Sequence, residues 1–498
     1  MTSLSRSNSA NAILEDIAPV SFALKELLEG AGGAVPRIDV EGVNADSRAI
    51  LPGEAFFAVP GTRVHGDAFA AQAKSRGAVA MITDRAPGAD PAMPVIIVSD
   101  VRRAYARAAA MQFAPQPETV VGVTGTNGKS SIVSFVRQIW AACGFSAASL
   151  GTVGIETAAG LVPGELTTPD ALSLHRDLGH LRAQGIDHVA MEASSQGLDQ
   201  RRVDGVRFSA VGFSNLSREH LDYHLDMAAY RDAKVRLFTD LIVDGGAAVV
   251  NVDDPEYEPF MFAALDRGVT LMTVGREGAW FENLSTVDEG YGQRVTGKLV
   301  GEEASFHLPL TGAFQASNAL VALGLAMATG APQDKALASL SHLKGARGRL
   351  ELVAEHNGAA IFVDYAHKPV ALESALAALR PYARSRLHVV FGAGGDRDKG
   401  KRPMMGEIAG RMADHVIVTD DNPRTENAAS IRAEILAAVP AAREVGDRRA
   451  AIEAAIADLQ PGDVLLIAGK GHEDYQIVGT TKHHFSDHEV VAETLKGR

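Results

Sequence analysis

Val120-Val121-Gly122-Val123-Thr124-Gly125-Thr126-Asn127-Gly128-Lys129-Ser130-Ser131 decides how the rest of the chain is read. An apolar run feeds a glycine-rich turn, and the turn opens into a segment whose residues Ile132, Phe135, Val136, Ile139 and Trp140 recur at helical spacing. Strand, glycine turn and helix in that order make a phosphate-binding loop. The N–H groups of the turn and the open helix N-terminus converge on an anion, and Lys129 adds a mobile positive charge. Ser130 then offers a hydroxyl to a magnesium ion. The general pattern G-x-x-x-x-G-K-[ST] asks for glycine where this chain has Val123, with the glycine displaced to Gly122. The competing reading is a plain glycine turn that carries a lysine by chance.

Composition bounds what surrounds this loop. At 498 residues the chain exceeds a single core, and about 150 residues per domain suggests about three domains. Hydrophobic residues at 46% and charged residues at 22% suit a globular enzyme. A formal charge of −13 argues against a nucleic-acid partner, which needs a basic face. Cys143 is the single cysteine, so neither an intrachain disulfide nor a cysteine zinc site can form. That fits a reducing cytoplasm. Met1 to Asn11 is Ser-rich and polar with only Arg6 charged, and reads as a frayed terminus without a secretory signal. No stretch approaches the roughly eighteen apolar residues of a membrane span.

Taken in order, residues 13 to about 100 alternate short apolar runs with Gly/Pro turns and read as a small α/β domain. Ile82-Thr83 and Val95 to Val98 supply strands, Asp100 to Phe113 a helix, and Ala114-Pro115-Gln116-Pro117 a linker. Beyond Glu118, strands at Val189-Met191, Ala210-Phe213 and Ala247-Val250 alternate with helices, as in a doubly wound sheet. Between Thr273 and Pro309 the rhythm changes to alternation, which predicts an antiparallel insertion. A further α/β unit with strands at Ala360-Val363, Leu387-Phe391, His415-Val418 and Val464-Ala468 closes the chain. The reading is therefore α/β with three domains, 1–117, 118–346 and 347–498: a small N-terminal domain, a central phosphate-loop mononucleotide-binding domain, and a C-terminal Rossmann-like domain.

The strand ends carry polar clusters: Asp364-Tyr365-Ala366-His367, Gly392 to Arg397, Asp420-Asp421-Asn422-Pro423-Arg424 and Gly469-Lys470-Gly471-His472-Glu473. Ligands of open α/β sheets bind at carboxyl ends of strands, so the clusters point to a site; singly, each also reads as turn residues. Glu192 ends an apolar strand and is a candidate oxygen ligand beside Ser130, since Mg²⁺ keeps several waters and needs few protein ligands. His220 and His224 are four apart, and on a helix would share a face. Three readings stay open there: zinc, which lacks the glutamate of H-E-x-x-H, a polar capping loop, or an imidazole that helps hold magnesium or orient phosphate. Lys234, on an amphipathic helix, reads by itself as a snorkelling lysine.

TGTNGKSS, TTPD (Thr167 to Asp170), MEASSQGL (Met191 to Leu198), the NLSREHLDYH run ending at His224, DYAHKP, GAGGDRDKGKRP, DNPR and GKGHE together resemble the Mur ligases of peptidoglycan synthesis. The likeness runs along nearly the whole chain, and TGTNGK is that family's own form of the loop. Within the family it resembles the branch that adds meso-2,6-diaminopimelate to UDP-N-acetylmuramoyl-L-alanyl-D-glutamate. The resemblance implies domains for the UDP substrate, ATP and the amino acid in turn, and an acyl-phosphate route. It implies a cytoplasmic enzyme, expected as a monomer, with no nucleic-acid partner and no membrane span.

By matching position, the resemblance assigns Ser47, His65, Thr167, Thr168, Ser194 and Arg202 to the UDP substrate. Gly125, Thr126, Asn127, Gly128, Lys129, Ser130, Ser131, Asn318, Arg349, Asp364 and His367 fall to ATP. Lys129, Glu192, His220 and Lys234 are the catalytic group, with Ser130, Glu192, His220 and Lys234 at Mg²⁺ and Lys234 matching a carbamylated lysine. Arg397, Asp421, Asn422, Pro423, Arg424, Gly469 and Glu473 correspond to the diaminopimelate pocket. Gln196, Gln315 and Lys368 depart from the family pattern, where histidine, asparagine and threonine are usual. The rival expectations are an L-lysine-adding ligase, a folylpolyglutamate synthase, or a phosphate-loop switch.

Overall fold

The computed structural model describes residues 38–497 other than 62, 63, 89 and 165, together with the backbone of Phe22–Ala23. Expectations placed on Met1 to Asn11 lie outside the described residues. The chain forms two compact units, one running to Asn283 with Lys298–Glu303 and Ser317–Ser339, the other made of Leu284–Gly297, Ala304–Ala316 and Leu340–Arg498. The first and second expected domains thus share most of one unit.

In that unit the N-terminal sheet is parallel, with strands Gly42–Asn44, Glu54–Phe57, Ala80–Thr83 and Val95–Ile97 side by side in chain order. Parallel strands covered on both faces read as unbroken apolar runs, and every residue of Glu54–Phe57 and Ala80–Thr83 is buried. The helix Val101–Gln112 covers one face through Tyr105 and Ala109 against Val43, Phe57 and Ile82. Asp100 caps it by accepting from the N–H of Arg103.

The central sheet runs Gly160–Pro163, Gly154–Thr157, Ala147–Gly151, His188–Glu192, Thr119–Thr124, Phe208–Phe213, Ile242–Asn251 and Thr270–Gly275 in space. From Ala147–Gly151 onward the pairs are parallel, and the first two strands add an antiparallel edge. Thr119–Thr124 lies where the chain first winds one way, to Ala147–Gly151 and His188–Glu192, and then the other, to Phe208–Phe213. Such a reversal opens a crevice at the carboxyl end, and the glycine loop emerges into it. The helix Lys129–Cys143 buries the apolar stripe read from the sequence: Ile132, Phe135, Val136, Ile139 and Trp140 are each 0% exposed.

The antiparallel insertion falls where the alternation placed it. Strands Phe281–Glu289, Gly292–Leu299 and Glu302–Leu308 follow one another through two-residue turns, a connection that only antiparallel neighbours allow; their residues divide between the units.

The second unit carries a sheet ordered Glu351–His356, Ala359–Asp364, Val464–Ala468, Leu387–Phe391, His415–Val418, Arg443–Glu444. Only the first pair is antiparallel. Helices Pro369–Leu379 and Lys401–Met412 pack one face around Phe362, Leu376 and Met405. Arg448–Ala457 and Asp487–Lys496 pack the other around Ile361, Ile452 and Val490.

In the first unit Phe213 stacks on Phe260 at 3.8 Å between ring centroids, and Phe238 meets Phe260 edge-on at 5.4 Å. All three rings are 0% exposed. Phe260→Ala should therefore cost about 3–5 kcal/mol through lost transfer energy and a residual cavity. Trp140 and Trp280, the chain's two tryptophans, both lie in this unit. Their fluorescence in urea should show a lower midpoint for the variant, and an unmoved midpoint would show that the stack contributes little.

Candidate active site

The phosphate loop is fixed by glycine at both ends. Gly125 has φ +144° and Gly128 φ +85°, conformations that L side chains rarely adopt. A Cβ on Gly125 would overlap the hydroxyl of Ser214, and one on Gly128 the side-chain oxygen of Asn318. The neighbouring strand end holds the loop open: Thr126 N–H donates to Asn215 O at 2.8 Å, Asn127 N–H to Asn215 Oδ1 at 2.9 Å, and Ser214 Oγ to Asn127 O at 2.6 Å. Thr126 Oγ1 meets Tyr230 OH at 3.1 Å.

Two lysines converge on this loop. Lys129 Nζ donates to Gly125 O at 2.9 Å and Thr126 O at 2.8 Å, and Lys234 Nζ donates to the same Gly125 O at 2.7 Å. Lys234 is 1% exposed, so it does not snorkel as the isolated sequence suggested. Burial, reinforced by the ammonium of Lys129, holds its pKa well below the usual lysine value. Its Nζ also lies 4.6 Å from the centre of the Tyr230 ring.

Glu192, at the end of its strand, is 1% exposed and richly hydrogen-bonded. It accepts from Ser130 Oγ at 2.9 Å, Thr152 N at 2.8 Å and Thr152 Oγ1 at 3.3 Å. A Cβ on Gly151 would overlap this carboxylate. Ser131, also buried, follows on the same helix. Thr152 Oγ1 lies 3.0 Å from Thr167 Oγ1, Thr168 Oγ1 donates to Glu192 O at 2.9 Å, and Arg202 donates to Thr168 O at 2.8 Å. Ser194 N–H donates to Thr168 Oγ1 at 3.0 Å, while the Ser194 hydroxyl caps the helix Ser195–Asp199. Thr167, Thr168, Ser194 and Arg202 are thus tied to the metal candidates Ser130 and Glu192.

His220 and His224 do not share a helical face. They sit in turns before the helix Met227–Arg236, with His220 at φ +57°. His224 is 5% exposed with its ring 5.3 Å from that of Tyr230, whereas the His220 side chain is 42% exposed and its ring 6.1 Å away. Among the described residues no three His, Cys, Asp or Glu side chains gather as a metal cage. The donor set Ser130 and Glu192 consists of hard oxygens, which fits Mg²⁺ completed by waters and phosphate oxygens.

At the N-terminal sheet, Ser47 and His65 both lie beyond carboxyl ends of strands. Ser47 Oγ donates to Gln72 Oε1 at 2.7 Å, and His65 bridges Asp84 at 2.8 Å and the N–H of Asp67 at 3.2 Å.

In the second unit the four clusters expected at strand ends do meet. Asn422 Nδ2 donates to Glu473 Oε2 at 3.0 Å, Gly395 N–H to Asn422 O at 2.9 Å, and Gly469 N–H to Asp364 O at 3.0 Å. Arg424, at φ +51°, donates to Gly395 O at 2.8 Å. Glu426 pairs instead with the buried Arg402 at 2.9 Å and with Lys399 at 3.2 Å, so Arg424 is not spent on its sequence neighbour. Pro423 is buried beneath the turn, and Arg397 is exposed on the facing loop. Burial by itself would raise Asp421, but the charges of Lys470 and Arg448 hold it below the usual carboxylate range. Asp364 accepts from the N–H of Leu350 and of Ala366, and Arg349 lies 5.0 Å from the Tyr365 ring. His367 Nδ1 bonds Tyr365 O at 2.8 Å.

Gln196 is half-buried on its short helix, and Gln315 is buried in the helix Ala313–Ala328. Lys368 occupies the N-cap of Pro369–Leu379 with no side-chain cap bond, a bond that threonine's hydroxyl can make. Sequence reasoning passed over Thr152, Ser214, Asn215 and Tyr230. For Ser214 and Asn215 a signal existed, since they end a strand next to the glycine loop. Thr152 and Tyr230 acquire their partners only through the fold.

The Mur ligase family, catalytic domain matches residues 39–113, the Mur ligase middle domain residues 123–326, and the Mur ligase, glutamate ligase domain residues 348–471. The chain is 53% identical over 469 residues to the UDP-N-acetylmuramoyl-L-alanyl-D-glutamate--2,6-diaminopimelate ligase of Bradyrhizobium diazoefficiens, covering 93% of this chain and 96% of that protein. It is 50% identical over 480 residues to the enzyme of the same name from Brucella melitensis, covering 95% and 98%. A solved structure of a ligase of that name superposes with a TM-score of 0.72 at 31% identity, over 96% of this chain and 99% of that one.

Gly125→Ala should distort the loop, because φ +144° and the Ser214 hydroxyl both oppose a Cβ. Affinity for ADP, measured by calorimetry, is expected to fall at least about tenfold, the equivalent of about 1.4 kcal/mol. Wild-type affinity in this variant would mean that the loop does not carry the nucleotide.

Proposed function

Starting from the fact that this chain belongs to the Mur ligase family, we propose that it joins meso-2,6-diaminopimelate to the D-glutamate side-chain carboxylate of UDP-N-acetylmuramoyl-L-alanyl-D-glutamate at the expense of ATP. The observation that carries the reading is full-length identity of about half to ligases of that name. The ordered loop Gly125 to Ser131, with Asn127 exposed and Lys129 at its rim, supports the ATP half. ATP and a UDP-linked precursor are cytoplasmic metabolites, which supports that location, and a monomeric state belongs to the same proposal. The domain limits 1–117, 118–346 and 347–498 belong to the same proposal.

A carboxylate is a poor acylating agent. In the proposed first step a glutamate oxygen attacks the γ-phosphorus and the bond to ADP breaks, leaving an acyl phosphate. The amine then attacks the acyl carbon, phosphate leaves with the bonding pair, and the amine gives up a proton. The loop N–H groups and Lys129 take the charge that grows on the transferring phosphoryl group. Ser130 and Glu192, with His220 and a carbamylated Lys234, would hold Mg²⁺, which supplies charge neutralisation at the phosphates when bound. Asn318, Arg349, Asp364 and His367 are proposed nucleotide contacts. Ser47, His65, Thr167, Thr168, Ser194 and Arg202 are proposed contacts of the UDP substrate.

Arg424 is the proposed reader of the far carboxylate, which diaminopimelate has and L-lysine lacks. A guanidinium fork can bind it through two parallel hydrogen bonds, and Arg397 adds positive charge. Asp421, Asn422, Pro423, Gly469 and Glu473 complete the pocket. ADP release should require both the UDP-dipeptide and the amino acid. Arg424→Ala should raise KM for meso-diaminopimelate by about 30-fold or more, on the order of 2 kcal/mol, with the KM values for ATP and the UDP-dipeptide barely changed. Equal use of L-lysine by the wild-type enzyme would refute the assignment.

Carbamylation of Lys234 rests on its buried, weakly basic amine, since an unprotonated amine is the form that adds CO₂. Incubation with ¹³C-bicarbonate should give a carbamate resonance that Lys234→Ala lacks. Activity lost in that variant should return in part with a short added carboxylic acid. A wild-type spectrum without the resonance at saturating bicarbonate would count against the modification.

A further inference from the structure

Lys470 stands between Gly469 and Glu473, two residues of the proposed amino-acid pocket, yet no role follows for it from the reading above. Its side chain is 0% exposed. Nζ donates to Tyr475 O at 2.7 Å and to Asn422 Oδ1 at 3.1 Å, and it lies 3.9 Å from Glu473 Oε2. Asn422 Oδ1 also accepts from the N–H of Ile477 at 2.9 Å. Two donors on one amide oxygen fix which way the amide faces, and its Nδ2 is thereby aimed at Glu473 Oε2, 3.0 Å away. Gln476 Nε2 donates to Asp421 O at 2.7 Å and holds the same turn from the other side.

Burying an ammonium is costly unless anions or dipoles answer it. Here the answer comes from Asp421 and Glu473, two largely buried carboxylates that would otherwise repel each other across the pocket. Burial, with Asp421 beside it, holds Glu473 above the usual carboxylate range, and the charge of Lys470 opposes that rise.

We propose that Lys470 is a positioning residue for amino-acid selection: its ammonium locks the Asn422 amide and, through it, the Glu473 carboxylate in the orientation that receives the amino group of the incoming amino acid. This rests on the assignment of Asn422 and Glu473 to that amino acid. A lysine that only filled space would be replaced by Lys470→Met at a cost to stability alone. A locking lysine should show its loss in amino-acid binding.

The test compares wild type, Lys470→Met and Lys470→Arg in two assays. Full turnover is measured with whichever amino acid the wild-type enzyme uses. Acyl-phosphate formation is measured separately by hydroxylamine trapping, which requires ATP and the UDP-dipeptide but no amino acid. In Lys470→Met the amino-acid KM is expected to rise at least about tenfold, as for a lost hydrogen bond to a charged group. Hydroxamate formation and the KM for ATP should stay within about twofold, and Lys470→Arg should recover part of the loss. An unchanged amino-acid KM overturns the proposal, as does an equal loss in both assays. Should Lys470→Met not fold, Lys470→Arg decides: a selective change in the amino-acid KM supports the lock, and wild-type values overturn it. Wild-type protein that yields no hydroxamate would instead sink the ligase reading, a result distinct from any outcome for Lys470.

Discussion

Two lysine amines donate to one carbonyl oxygen, and much of the central unit is arranged around that fact. Lys129 reaches Gly125 O from the start of the loop helix, and Lys234 reaches it from a helix more than a hundred positions later in the chain. Like charges so close, with one of them buried, are tolerable only when one is unprotonated or when an anion is expected. Burial, with the Lys129 charge beside it, holds the Lys234 amine well below the usual lysine range. Tyr230 connects the arrangement, its hydroxyl on Thr126 and its ring against Lys234 and His224.

The second unit solves a different problem. Four strand ends deliver polar clusters to one edge of a parallel sheet, where charged side chains must be kept apart from the apolar faces beneath. Buried pairs do this from behind. Arg402, 0% exposed, binds Glu426 and Glu434, while Arg448 and Asp487, both fully buried, pair at 2.7 Å. Removing one partner of such a pair strands the other charge, at a cost of about 3–5 kcal/mol for a buried pair.

What the sequence made legible was the periodic and the local. The loop helix announced itself by apolar spacing, and the strand ends of the last unit by glycine and aspartate following apolar runs. Edges were harder. Ala147–Gly151 is built from Ala, Ser, Leu and Gly, with no β-branched residue to mark it, and the hairpin Tyr475–Val478 with Thr481–His484 is largely exposed. Both are strands because neighbours supply hydrogen bonds, not because their side chains prefer extension. The same holds for chemistry. Ser130 and Glu192 could each be named from local context, but Thr152 as a donor to Glu192 needs the parallel register of two strands. The depth of Lys234 is equally a property of packing. A helix residue flanked by Ala233 and Val235 gives no hint whether its own side chain turns inward.

Gly151 and Glu192 illustrate how such packing limits the routes open to mutation. No side chain at position 151 fits while the carboxylate occupies its present place, and moving the carboxylate breaks its bonds to Ser130 and Thr152. The two positions can therefore change only together, through an intermediate that has already lost one of them. With Glu192 as a proposed metal ligand, an inhibitor that relied on its carboxylate would meet little escape along this route, because the single substitutions that disturb that contact also break the bonds to Ser130 and Thr152.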